Sequence, residues 1–165
     1  MPASKTASDV VVVSDDRVVV EMDEGAATAS APRPHKAIET HPCVELTAGM
    51  ARYLLAILDL SEGGERPTQS SLSRHLEVSA PTTSEAIGRL RGLGLVEADT
   101  VALTIAGTSA ALVLRSRRVA ARELVHEILG LDAEDSEVEA ERLAFSASPL
   151  LGRSLVGWRA ARHHH

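Results

Sequence analysis

The sequence predicts a mainly α-helical fold, with two short helices and a small β element ahead of longer helices, and three observations carry that prediction. From Leu46 onward apolar residues recur every three or four positions, the spacing of one helical face. Ser79-Ala80-Pro81 lies between two short stretches of this kind, so one helix stops and another starts within a few residues. Residues 95–105, LVEADTVALTI, then form two strand-like runs around the polar pair Asp99-Thr100.

At the amino end, VVVV at 10–13 and VVV at 18–20 flank Ser14, Asp15 and Asp16 and read as a β-hairpin. Residues 23–43 are rich in Ala, Thr, Pro and Glu without period and read as linker. The hairpin has two open readings, a tail whose aspartates guard sticky strands or a strand pair docked on a partner. Composition shifts near residue 44. Residues 47–61 place Met50, Tyr53, Leu54, Ile57 and Leu58 on one stripe, and Gly63-Gly64 end that helix. Pro67 and Thr68 open a short helix with Leu72 and Leu76 inward. Ser79 caps the next, Pro81 fits its first turn, and Ala86, Ile87, Leu90 and Leu93 form its buried stripe, with Gly94 at its end. A long helix over about 108–129 stops at Gly130. Asp132 or Asp135 caps another to about Ala147, and Ser148-Pro149 starts a last one through Trp158.

Helix, tight turn, helix and strand pair in that order make a winged helix-turn-helix, followed by a helical domain. The expected divisions are 1–43 hairpin and linker, 44–112 winged helix-turn-helix, 113–162 helical dimerisation domain, and 163–165 a remnant of an affinity tag. With 165 residues, 44% of them hydrophobic, the chain can bury one real core. Its apolar runs are too short for a membrane span, and its opening MPASKTASD lacks the apolar core of a signal peptide. One cysteine, Cys43, forms no internal disulfide, which together with the opening suggests the cytoplasm. A net charge of −6 excludes general affinity for polyanions, so any nucleic-acid contact must be local. Tyr53, Phe145 and Trp158 are too few aromatic residues for stacking on single strands or RNA loops, so a nucleic-acid partner, if there is one, is duplex.

If Ala86, Ile87 and Leu90 face the core, the outer stripe of their helix holds Thr82, Glu85, Gly88, Arg89 and Gly92. Small hydroxyl residues near a helix start can approach phosphates and thymine methyls, and an Arg reaches a phosphate or guanine edge. The candidate DNA-contacting residues are therefore Ser71, Ser79, Pro81, Thr82, Thr83, Ser84, Glu85 and Arg89. Glu85 and the wing's lack of Lys or Arg run against this reading and favour a second one, a winged helix that binds protein. A third is a repressor of the MarR kind with a small ligand at its dimer interface. No nucleophile elbow, phosphate loop or paired catalytic carboxylates support an enzyme, and Gly92-Leu93-Gly94 is a helix end rather than a dinucleotide fingerprint.

Between Arg52 and about Ser148, the segments YLLAILDLSEGG, SRHLEVSAPTTSEAIGRLRGLGLV, LTIAG and ELVHEILGLD resemble the DtxR and MntR family of metal-dependent transcriptional repressors. The recognition helix of that family begins S-x-P-T-x-S, matched here by Ser79, Pro81, Thr82 and Ser84. The resemblance implies a homodimer joined by its carboxy-terminal helices, two winged helices on a palindromic operator, and control by iron or manganese. It also implies metal ligands at a Met or Asp before the Tyr-Leu, at H-x-x-x-E in the long helix and at H-x-x-x-C/E-x-x-E-H in the next. In ungapped register these fall on Arg52; on Arg118 and Arg122; and on Glu137, Glu141, Ala144 and Phe145. Two glutamates keep an atom able to bind metal, while three positions carry fixed positive charge that repels a cation.

The departures share a pattern. Arg52, Arg118 and Arg122 are expected to pair with Glu137 and Glu141, so that guanidinium charge replaces the metal and the regulator works without one. Arg118, on a stripe with Leu114, Ala121 and Val125, is expected to point inward, and breaking such a buried pair would cost about 3 to 5 kcal/mol. The opposing reading places all five residues on separate solvated surfaces. Iron or manganese on non-standard ligands is a further alternative, with His41, Cys43 and Glu45, or Glu123, His126 and Glu127, as candidates.

Overall fold

The computed structural model describes residues 17–21 and 43–163. It contains strands β1 (Arg17–Glu21) and β2 (Cys43–Thr47) and helices α1 (Ala48–Glu62), α2 (Gln69–His75), α3 (Ala80–Gly92), α4 (Ile105–Glu123), α5 (Ala133–Ser146) and α6 (Pro149–Arg162). A π-helical turn, Leu124–Ile128, prolongs α4. The architecture is a winged helix-turn-helix followed by a helical domain, as expected, and α4 runs unbroken across the expected division at 112–113.

Of the expected hairpin of residues 10–13 and 18–20, only the second run is described. Residues 10–16 lie outside the described residues, and β1 pairs antiparallel with β2, with Val18 opposite Leu46 and Val20 opposite Val44. Leu46 is buried in the core, so β2 is an anchored partner of a kind that an isolated ribbon lacks. Thr47 ends β2 and caps α1, its hydroxyl accepting from Met50 N at 3.2 Å.

Helix α1 is the central pillar, buried at Met50, Ala51 and every residue from Tyr53 to Leu58. Leu72 of α2, Ile87 and Leu90 of α3, Leu95, and Leu114 of α4 close around it. Leu93, expected in the α3 stripe, is exposed instead, because the helix has reached its C-cap there and turns away. Gly94 follows with φ +70, a left-handed conformation that suits glycine. The wing is minimal: Val96 and Leu103 form an isolated antiparallel bridge, and Glu97 N donates to Ala102 O at 2.9 Å.

Helix α4 starts three residues earlier than expected. Thr104 is its N-cap; its hydroxyl accepts from Gly107 N at 3.0 Å and donates to Gly94 O at 2.7 Å, tying the helix start to the end of α3. Asp132 is the cap of α5. Helix α6 packs on α4 and the π turn, with Arg159 donating to Glu123 at 2.6 Å and Arg162 to Glu127 at 2.6 Å. Burial opposes ionisation of Glu123, but hydrogen bonds and charge from Arg159 and His163 outweigh it and hold the carboxyl below its ordinary range. Among the described residues no helix is long and apolar enough to cross a membrane.

Candidate nucleic-acid interface

Two short, well-capped helices present the candidate surface. Thr68 and Ser71 form a reciprocal capping box at the start of α2, with Ser71 N donating to Thr68 Oγ1 at 3.1 Å and Thr68 N to Ser71 Oγ at 2.9 Å. The Ser71 hydroxyl is thus engaged in starting its own helix. Ser79 does the corresponding work for α3, accepting from Thr82 N at 3.3 Å and lying 2.7 Å from the Thr82 hydroxyl. Pro81 sits in the first turn, where its missing N–H leaves no intrahelical bond unmade.

Ser79, Pro81, Thr82, Ser84, Glu85 and Arg89 are all exposed, so six of the eight sequence-predicted residues share the outward side of α3 and its cap. Arg89 Nη2 donates to Glu85 Oε1 at 2.5 Å, one turn back along the helix. A Cβ added at Gly88 or Gly92 would meet nothing within 4 Å, which leaves the face beside the pair low and open.

Thr83 is a correction. It is fully buried, and its hydroxyl lies 2.8 Å from Ser73 Oγ and 3.2 Å from the Tyr53 hydroxyl while donating to Ser79 O at 3.2 Å. One residue of rotation from Thr82 carries it to the inner side, where it joins α1, α2 and α3 in a polar knot. Thr83→Val keeps the shape but removes the oxygen that Ser73 and Tyr53 use. A loss of about 1 to 3 kcal/mol is expected in denaturant unfolding.

Arg91, not singled out from sequence, is turned toward the wing. Its Nε donates to Glu97 O at 3.0 Å and its Nη2 to Thr100 O at 3.3 Å. The wing is therefore held from behind by α3, while its own polar residues are Glu97, Asp99 and Thr100. Nothing local in the sequence distinguished Arg91 from Arg89; only the path of the wing does.

The expected arginine–glutamate pairs form in the helical domain. Arg52 of α1 bonds Glu141 of α5, Arg118 of α4 bonds Glu137 of α5, and Arg122 Nε lies 3.4 Å from Glu137 Oε2. Their burial is corrected. Side-chain exposure is 60% for Arg52 and 23% for Glu141, and Arg52, Arg118 and Glu141 border an open groove of about 370 Å³. The inward arginine of α4 is instead Arg117, 2% exposed, one residue round the helix from Arg118. Wetted pairs contribute far less than buried ones, so Glu141→Ala should lower stability by about 0.2 to 1 kcal/mol in thermal unfolding.

These residues do not fit a metal. Both remaining carboxylates are engaged by guanidinium groups, and Ala144 and Phe145 are buried in the apolar core. Among the described residues no three His, Cys, Asp or Glu side chains converge on a point. In the alternative set, Glu123 and Glu127 are held by Arg159 and Arg162, and His126 Nδ1 meets Leu131 O at 2.9 Å. His41 lies outside the described residues.

Comparison with known proteins agrees with this geometry. Residues 45–100 match the family described as iron dependent repressor, N-terminal DNA binding domain. Over that segment the chain is similar to the iron-dependent repressors. Relatives include the diphtheria toxin repressor of Corynebacterium diphtheriae, 36% identical over 108 residues, which cover 63% of this chain and 47% of that protein. The iron-dependent repressor IdeR of Mycobacterium tuberculosis is 35% identical over 116 residues, covering 68% of this chain and 50% of its own. The chain spans about half the length of the curated relatives it matches. Among solved structures, the manganese regulator SloR superposes with a TM-score of 0.61 at 26% identity, covering 67% of this chain and 53% of that one. A manganese-dependent transcriptional repressor bound to manganese gives 0.59 at 30% identity, covering 66% and 51%. Like the iron-dependent repressors, then, this chain carries a segment that matches the family's DNA-binding domain; unlike what the family resemblance implies, three of the seven ligand positions hold arginine and two keep glutamate.

Proposed function

We propose that this chain is a sequence-specific, double-stranded-DNA-binding transcriptional regulator of repressor type, acting in the cytoplasm as a homodimer on a palindromic operator. The observation that carries the reading is the outward side of α3, where Ser79, Pro81, Thr82, Ser84, Glu85 and Arg89 are exposed on a family DNA-binding domain. Small side chains let the helix approach a groove wall, and its amino end favours phosphate oxygens. Exposed large apolar residues in the carboxy-terminal half, among them Val138, Ile128, Leu129, Leu150 and Leu151, support a dimer surface there.

The same regulator is proposed to work without metal. Arg52 with Glu141, and Arg118 and Arg122 with Glu137, link α1, α4 and α5 through the positions where the family resemblance implies metal ligands. A gel shift on the DNA upstream of its own gene, using protein freed of His163–His165, tests both parts. Retention in chelator, weakening steeply as salt rises, is the expected result. Retention only after addition of manganese or iron would overturn the metal-free reading, and no retention under either condition would favour a winged helix that binds protein.

A further inference from the structure

The Glu85–Arg89 pair is unexplained by stability or by general affinity for DNA. Both side chains stand in solvent, at 66% and 60% exposure, and an exposed pair four residues apart adds little to folding. A carboxylate on a surface that meets phosphates weakens non-specific binding, since it repels the same oxygens that arginine attracts. What the pair does is bias the guanidinium toward one orientation. Glu85 engages Nη2 of Arg89 at 2.5 Å, while Gly88 and Gly92, on the same side of the helix, supply no side chain that could steady it. Arg91, the next basic residue of α3, is occupied by the carbonyls of the wing. Arg89 is therefore the arginine that α3 turns outward, and it leaves the helix with its direction biased by Glu85.

A guanidinium biased toward one direction is suited to the paired acceptors O6 and N7 of guanine, and a carboxylate beside it accepts from the N4 amino group of cytosine. The same carboxylate repels thymine O4 and phosphate oxygens, which offer no hydrogen. Resting on the reading that α3 lies in the major groove, we propose that Glu85 and Arg89 act as one unit that reads a guanine and a neighbouring cytosine, with Glu85 setting specificity. Arg89 supplies attraction and Glu85 supplies rejection, the combination that discriminates between sites.

The test is selection by the full chain from a pool of duplexes randomised at their centre, followed by anisotropy titration of the selected sequence and of its A·T-substituted counterpart. The parent is expected to enrich G·C at a fixed position in each half-site. Glu85→Gln keeps the shape and loses the charge; it should bind the pool at least as well, while preference for G·C over A·T at that position falls by about tenfold. Arg89→Lys should lose the preference too, because an ammonium is a point charge without the fork. Both positions are exposed, and unchanged thermal unfolding of the variants shows that the losses are not losses of fold. If Glu85→Gln selects the same motif with the same preference, the paired readout is overturned while DNA recognition stands. If the parent retains no duplex, both are overturned together.

Discussion

Gly107→Ala is expected to destabilise the protein by about 3 kcal/mol, the upper end of ordinary overpacking, and to take duplex binding down with it. Gly107 lies in the first turn of α4, where that helix crosses the start of the wing. A Cβ built there would stand 1.9 Å from the carbonyl oxygen of Leu95 and 2.8 Å from its carbon. Backbone atoms cannot swing aside as a side-chain end can. Either α4 lifts or the wing moves, and both are tied to this point: Leu95 O accepts from Thr104 N at 3.1 Å, and Leu95 itself is fully buried. Moving the wing also strains the two bonds by which Arg91 holds it to α3. Gly88→Ala is the matched control, since an added methyl there meets nothing and alanine is the better helix former by about 1 kcal/mol. Denaturant midpoints separate the two; a Gly107→Ala protein as stable as the parent would show that α4 does not pass this close to the wing.

The order of elements was legible because each boundary carries its own chemistry. Thr68, Ser79, Thr104, Asp132 and Ser148 are side chains that cap helices, and all five do so. Thr104 is not legible as a cap, because LTI reads equally well as the end of a strand, and only the Gly94 carbonyl it meets decides the matter. The partner of β1 was illegible for a related reason: valine-rich runs specify a strand but not its mate, and the run nearest in sequence is the default choice. At the interface, spacing predicted the outward stripe of Thr82, Glu85 and Arg89 but could not place Thr83, which sits at the edge of the inner face and is settled by two hydroxyl partners from α1 and α2. The arginine–glutamate pairing followed from the ligand register that the family resemblance implies, together with charge sign. Its exposure did not, because one residue on an α-helix is a turn of about 100° and exchanges Arg117 for Arg118.

Arg117 accordingly carries the larger energetic consequence. It is 2% exposed on α4, and α6 covers it at Gly152, where an added Cβ would lie 2.5 Å from Arg117 Nε and 2.8 Å from Cζ. Among the described residues no buried side-chain nitrogen or oxygen lacks a hydrogen-bond partner, so this guanidinium is satisfied where it stands. Arg117→Ala removes the packed stem and strands the acceptors, and a loss of about 3 to 5 kcal/mol is expected, several-fold more than for Glu141→Ala. Gly152→Ala should cost about 1 to 3 kcal/mol by forcing the guanidinium out of place. The two changes occupy the same space, so their effects cannot add. With Arg117 truncated, the new methyl at 152 enters volume already vacated, and its cost should shrink by about 1 kcal/mol or more in a double-mutant cycle. Additive losses would mean that the glycine serves the backbone of α6 rather than the arginine beneath it. A small loss for Arg117→Ala would remove the reason for the helical domain to keep a cation in its interior.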